Sequence, residues 1–353
     1  MLKRRVGNIF SSRAIMIIIV LMASMISTAQ NKGGEKIKKA AKATADFVDY
    51  VLNDIDTAYV EKNKYNFTIM PMYSLQYDHY SFAAGGNDRQ SIVLTPENRN
   101  KMTLNFGWRW LLIGYGIDLQ EARPRTDFNL SLYSSRFCLD LFYRKSSDLY
   151  KIKKLTGFDN EKSLLHNGNS YFDGLDVKQL GVSLYYVFNK RVSYNAAYRQ
   201  MDKQRMSAGS FVLGAGYNKQ KFVFNHDEFA PAIKEQLDDR LKFKTLEYND
   251  FSLNLGYCYN WVFAKNLTAS ASLTPAVSYK KASLEYADNK EKLGCISFDL
   301  TTRADIAYNN GRYYAAASFV SNTYHYSKNE ISALNSFGVF KVYVGYNFWR
   351  RKK

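Results

Sequence analysis

Residues 250–280 read DFSLNLGYCYNWVFAKNLTASASLTPAVSYK. From Phe251 every second side chain is apolar through Leu253, Leu255, Tyr257 and Tyr259. After a short break the pattern resumes at Leu267, Ala269, Ala271, Leu273, Pro275, Val277 and Tyr279. The alternate positions carry Ser252, Asn254, Gly256, Thr268, Ser270, Ser272, Thr274 and Ser278. A period of two is that of a β-strand, whose successive side chains point to opposite faces. Two such strands with one oily and one polar face pose a choice of solvent. A soluble sandwich turns the oily face inward. A barrel in lipid reverses this, with a polar lumen and an apolar exterior. The polar face here is built from small groups, which suit a lumen, and Tyr and Phe crowd toward strand ends, as in interfacial aromatic belts.

The same alternation recurs from Asn66 to the C-terminus in thirteen segments, including 102–110, 128–132, 137–143, 180–188, 194–198, 211–217, 296–300, 313–319 and 342–348. Connections alternate between tight ones (134–135, 189–191, 309–311) and long charged ones (81–100, 146–176, 226–247, 281–293). Outer-membrane barrels have short periplasmic turns and long outer loops. Both chain ends should be periplasmic, so the strand number should be even. Thirteen segments therefore call for one more strand, which 221–224 supplies if 218–220 is a turn. The expected fold is all-β, a transmembrane antiparallel up-and-down barrel of about 14 strands. Twelve is the alternative if 192–217 contributes one spanning strand and 221–224 none.

Charges in the strand segments fall on the polar parity: Asp118, Asp127, Arg136, Asp140, Arg199, Asp299, Arg303, Asp305 and Lys341, with Arg109 opposite the aromatic face of 102–110. With Ser207 and Ser210 they are the expected lumen lining. Asp299 with Arg303 and Asp140 with Arg136 are candidate ion pairs.

The start of the chain differs from the rest. Lys3, Arg4 and Arg5 precede the apolar run AIMIIIVLMASMI at 14–26. That is short for a membrane-spanning helix of roughly 20 residues. Ser27-Thr28-Ala29 offers small residues for cleavage, so 1–29 reads as a signal peptide. An uncleaved anchor helix is the alternative. Residues 30–65 read as a periplasmic helical segment with a stripe of Phe47, Val48, Val51, Leu52 and Ile55, and 66–353 as the barrel.

The chain has 353 residues with 28 Tyr, 23 Phe and only 5 Pro, a composition that excludes general disorder. Its net charge is +17, or +13 after the signal, yet the four long connections sum to −3. The basic excess therefore lies in strands and turns, with Lys190, Arg191, Lys219, Lys265, Arg312 and Arg350-Arg351-Lys352-Lys353 marking the expected periplasmic rim. A funnel for anionic solutes is one reading; a solvated rim with lumen ion pairs is the other. Export argues against nucleic acid as a partner. Outer-membrane lipid, lipopolysaccharide and the barrel-assembly machinery are the expected partners of a monomeric barrel in the outer membrane of a Gram-negative bacterium.

Cys138, Cys258 and Cys295 form no CxxC and no disulfide framework. No metal-ligand spacing, phosphate loop or GxSxG is present, so no metal or cofactor is expected. A lipid-modifying enzyme would need His with Ser near the outer rim. Asp78-His79-Tyr80-Ser81 and Tyr324-His325-Tyr326-Ser327 are the two settings that permit it, since His79 and Ser81, like His325 and Ser327, share a strand face.

Three stretches, IDTAYVEKNKYNFT at 55–68, FNLSLYSSRFCLDLFY at 128–143 and LYYVFNKRVSYNAAYRQMDKQRMSAGSFVLG at 184–214, resemble a family of uncharacterised outer-membrane barrels of Gram-negative anaerobes, catalogued as a domain of unknown function. The resemblance runs from about residue 45 to the C-terminus. It implies the same fold and location and brings no activity. Ser207-Ala208-Gly209-Ser210, after Gln204-Arg205, reads as a close-packing stretch, with a site as the alternative. Together these readings leave a surface binding, structural or transport protein with a largely filled lumen, a narrow pore for small or anionic solutes, or a lipid-modifying barrel.

Overall fold

The burial of the opening stretch decides the solvent. In the strand Leu267–Glu285 (β14) exposed and buried residues alternate. Leu273 is 54% exposed and Val277 53%, whereas Ser272 is 3% exposed and Thr274 1%. The polar face is inside and the oily face outside, the inverse of a soluble protein. The same inversion holds on Thr245–Ala264 (β13), where Leu253, Leu255 and Trp261 are exposed and Asn254 and Asn260 buried. An unbroken band of exposed Leu, Phe, Tyr and Trp is tolerable only against lipid.

The structure, a computed structural model, describes residues 54–85, 89–108, 111–119, 126–166 and 171–351. The expected signal peptide, the helical stretch up to residue 53 and Arg109 lie outside these. Of the segment expected to be helical, residues 54–65 carry a short strand instead, Val60–Lys62 (β1).

The remaining strands follow in order: Tyr65–Ala84 (β2), Gln90–Pro96 (β3), Arg99–Trp108 (β4), Leu111–Asp118 (β5), Thr126–Tyr133 (β6), Phe137–Ser147 (β7), Tyr150–Thr156 (β8), Tyr171–Phe172 (β9), Leu175–Val187 (β10), Asp202–Gln204 (β11), Ala208–Phe224 (β12), β13, β14, Lys290–Asn309 (β15), Tyr313–Lys328 (β16) and Ile331–Arg350 (β17). Fifteen of them form one antiparallel sheet. β3, β8 and β9 branch from the upper end of β2, which leaves twelve in a meander. The last strand, β17, hydrogen-bonds to the first, β2, along almost its whole length. Side chains of opposite walls also touch, such as Asn335 on β17 and Gln220 on β12. Among the described residues no ladder joins β5 to β6. The chain is an up-and-down β-barrel of the outer-membrane type.

The strand number differs from the fourteen expected, for two reasons. β12 runs unbroken from Ala208 to Phe224, so 218–220 is no turn and 221–224 no separate strand. Lys219 therefore leaves the periplasmic rim and pairs with Glu247 at 2.6 Å near the outer end. The alternation at 194–198, read as a strand, is instead a helix, Tyr194–Tyr198 (α2). The meander thus holds the alternative number, twelve.

Strand length carries the second feature. β2, β13, β15 and β17 have 20 residues each, about 66 Å at 3.3 Å per residue. A tilted spanning strand needs about 9–11. The lower halves carry the apolar belt; the upper halves carry Lys219, Lys221, Glu247, Lys281 and Glu285 outward and stand clear of lipid.

Leu255, in the middle of the belt, is 60% exposed. Leu255→Arg is expected to cost about 2–4 kcal/mol, read from urea titration of the heat-modifiable gel shift. Leu255→Phe should change it by less than about 0.5 kcal/mol.

Candidate functional site: a filled lumen

The periplasmic end is closed by a plug. After the turn at 189–191 the chain enters the lumen rather than a new strand. Ser193 caps α2 by accepting from the Ala196 N–H at 3.1 Å. Val192, Tyr194, Ala197 and Tyr198 pack on Cys138, Tyr185, Val187, Val212 and Cys258 of the wall. The chain then forms β11, which pairs with β1 in a separate two-stranded sheet. Polar groups seat this plug. The Asp202 carboxylate accepts from Ser135 Oγ at 3.1 Å and Ser193 Oγ at 3.0 Å. Burial raises the pKa of this carboxyl. The Gln204 amide donates to Arg191 O and Met206 O and accepts from Asn260. Gln200 donates to Asp305 at 3.2 Å, and Tyr194 shares a hydrogen bond with Ser272 at 3.0 Å. The Ala196-Ala197 pair behind Ser193 is the one sequence signal of this helix. Five residues are too few to display a helical period.

At mid-height the lumen is crossed by ion pairs. Arg303 on β15 donates to Asp140 on β7 at 2.7 Å. Arg144 on β7 meets Asp78 on β2 at 3.0 Å, lies 3.6 Å from Asp127, and stacks over Phe337. Lys280, fully buried, lies 2.7 Å from Asp250 and 2.8 Å from Asp299. The expected pairs Asp299–Arg303 and Asp140–Arg136 are both replaced by these. Residues four apart on one strand are about 13 Å apart, whereas an adjacent or facing strand brings charges into contact. Arg136 is not in the lumen: it lies at the periplasmic rim, 3.8 Å from Asp54 and over the Tyr186 ring.

The other expected lining residues fall as follows. Asp305 is buried beside Tyr343 and Gln200. Lys341 and Arg199 face the central cavity, Arg199 from the plug rather than from a strand. Asp118 is exposed and lies 3.6 Å from Lys101. Ser207 accepts the Val262 N–H and Ser210 the Asn189 N–H, so the 207–210 stretch ties plug, turn and wall together. Of the histidines, His325 bonds Asp299 only through its backbone N–H. No hydrogen bond joins His79 to Ser81 or His325 to Ser327 among the described residues. Cys138, Cys258 and Cys295 are free and buried, and no group of His, Cys, Asp or Glu among the described residues could hold a metal.

The outer end carries a cap with its own apolar core. The loop 226–247 contributes Phe229, Ile233, Leu237, Leu241 and Phe243; the branch strands contribute Ile92, Leu94, Tyr150, Ile152 and Phe172; the protruding strands contribute Tyr80, Phe82, Phe222, Phe224 and Tyr248. Phe172 and Phe229 stack at 3.9 Å. Pro231–Lys234 (α3) and Gln90 brace the loop, with Gln90 donating to Gln236 O and accepting from the Asp238 N–H. Arg240 joins Asp238 and Glu330; Glu161–His166 (α1) flanks β8. Between cap and plug lies a cavity of about 400 Å³.

Residues 54–348 match the family described as Domain of unknown function (DUF4421), and the chain belongs to it. No curated protein matches the sequence. Among solved structures, the outer membrane protease OmpT from Escherichia coli aligns with 6% identity and a TM-score of 0.38, covering 80% of this chain and 97% of that one. The translocator domain of the autotransporter NalP from Neisseria meningitidis gives 9% and 0.33, covering 88% and 98%. OprG from Pseudomonas aeruginosa gives 12% and 0.24, covering 81% and 98%. Scores this low leave the fold to rest on the ladder and the belt, and carry nothing about activity.

Lys280→Met leaves Asp250 and Asp299 as buried, uncompensated neighbours and is expected to cost about 3–5 kcal/mol, measured as a fall in the heat-modification midpoint. Adding Asp250→Asn and Asp299→Asn should restore most of it.

In the cap, His226 Nε2 lies 2.8 Å from Leu241 O. Burial lowers the pKa of its imidazole, with Lys242 and Lys234 adding to that and the Leu241 hydrogen bond and Asp227 opposing. The undocked loop then binds a proton that the docked loop resists, so docking weakens as pH falls below about 6.5. Proteolytic nicking at 226–243 should be faster at about pH 5.5 than at about pH 7.5, and His226→Gln should flatten the difference.

Proposed function

We propose that this member of a family without assigned activity serves in the outer membrane of a Gram-negative bacterium as a surface binding or structural barrel, not an open channel. The observation that carries the reading is the occupancy of both ends of the lumen. Below, α2 and β11 are bonded to the wall on several sides. Above, the cap is a packed apolar core, not a set of loose loops. A conduction path needs a continuous polar route, and the Arg303–Asp140 and Arg144–Asp78 pairs cross the one that remains. A tall, braced outer half also fits a protein whose work is done by a rigid surface. In this reading the barrel is a monomer, its belt meets outer-membrane lipid and lipopolysaccharide, it is inserted by the barrel-assembly machinery, and nucleic acid is not a partner.

Purified protein in planar bilayers is expected to show no steady conductance. Discrete, reproducible steps from the unaltered chain would sink the reading and favour the narrow pore.

A further inference from the structure

The cavity between plug and cap is charged unevenly. Five cationic side chains line it, Lys101, Arg144, Arg199, Arg303 and Lys341, against the carboxylates Asp127 and Asp140. Three of the cations are matched: Lys101 with Asp118, Arg144 with Asp78 and Asp127, and Arg303 with Asp140. The other two are not. Among the described residues Arg199 makes no ion pair, and its guanidinium lies over the Tyr133 ring at 5.2 Å. Lys341 makes none either.

Arg303 adds an independent sign. It is 3% exposed. Only its Nη2 reaches Asp140, while Nε and Nη1 are buried without a hydrogen-bond partner. Buried donors in native structures are satisfied, and a buried cation without full compensation is costly. A structure that keeps Arg199, Lys341 and the half-paired Arg303, whose guanidinium also lies over the Tyr185 ring at 4.9 Å, around one lumen cavity has a use for them.

We propose that this cavity is a binding site for a small, multiply charged oxyanion of the phosphate type. Arg303 supplies the buried donors, Lys341 a point charge from the wall, and Arg199 a guanidinium from the plug. Guanidinium groups suit tetrahedral oxyanions because their planar donors meet two oxygens at once. A volume of about 400 Å³ admits such an ion with its waters or a small phosphomonoester. Because Arg199 belongs to the plug and Lys341 to the barrel wall, a bound anion would link the two and hold the plug in place. The site does not depend on the surface role proposed above and can exist in a barrel that never conducts.

The test is calorimetric titration of inorganic phosphate into the detergent-solubilised full-length protein at low salt, with Arg199→Gln and Lys341→Met as variants. Heat-modifiable migration serves as the folding control for each. Saturable binding that weakens at least tenfold in both folded variants is the expected result. A second arm titrates vesicles containing phosphatidylglycerol. No phosphate binding by the unaltered protein, binding unchanged in the variants, or variant-sensitive binding of the vesicles alone would each overturn the proposal. A rise in the heat-modification midpoint with phosphate, present in the unaltered chain and absent in Arg199→Gln, is the corresponding stability readout if Lys341→Met fails to fold.

Discussion

The contact between lipid and the outer face of each strand is the constraint from which the rest of the structure follows. A strand in hydrocarbon must satisfy its backbone groups in its neighbours, which is why one continuous antiparallel ladder carries the sheet round and sets the last strand, β17, against the first, β2. Its outward side chains must then be apolar, so alternation sends all polar groups inward. Twelve strands enclose more space than their own small inward groups can occupy. Ser, Thr and Asn line the β13–β14 wall, and longer residues from β2, β7, β15 and β17 reach across. Filling the lumen is thus a consequence of the lipid contact and not a separate invention.

The charges inside obey the same logic. Arg303, Arg144 and Lys280 could not stand alone in so enclosed a space, and each faces an acid on another strand. These pairs are long in sequence and short in space. Arg303–Asp140 and Arg144–Asp78 join walls that no backbone ladder joins and brace the barrel in cross-section, whereas Lys280 ties β14 to its laddered neighbours β13 and β15. The surplus at Arg199 and Lys341 stands out against this background because neither makes an ion pair among the described residues, while the cations around them each reach an acid.

Much of this was legible in the sequence. The period of two, the inverted faces, the tight turns at 134–135 and 309–311 and the long outer connections are local properties, and local patterning reports them directly. Three features were not. The length of β12 was hidden because counting 194–198 as a strand made the number odd, and the even-number rule then called for a turn at Asn218-Lys219-Gln220 and a further strand after it. The helix α2 was hidden because Tyr194, Ala196 and Tyr198 alternate in a segment too short to show any other period. The ion pairs were hidden because partner choice depends on which strands face one another, and separation along the chain carries no such information. Pairing residues four apart on one strand applied the helix rule to a sheet.

The plug shows how far non-local assembly goes in this chain. β1 precedes the whole barrel, and β11 lies between β10 and β12, yet Val60 pairs with Gln204 and Lys62 with Asp202. The segment before the first strand therefore runs beneath the insert. Asn309, at the turn after β15, donates to the Asp202 and Gln200 carbonyls from the far wall. Three distant parts of the sequence thus converge on a peptide of about a dozen residues, whose own elements, a five-residue helix and a three-residue strand, are too short to hold it. Such a segment gains its order from the walls that surround it. Its hydrogen bonds to β1, β13 and β15 exist only where those walls stand, so the sealing of the periplasmic end depends on the barrel around it rather than on the insert itself.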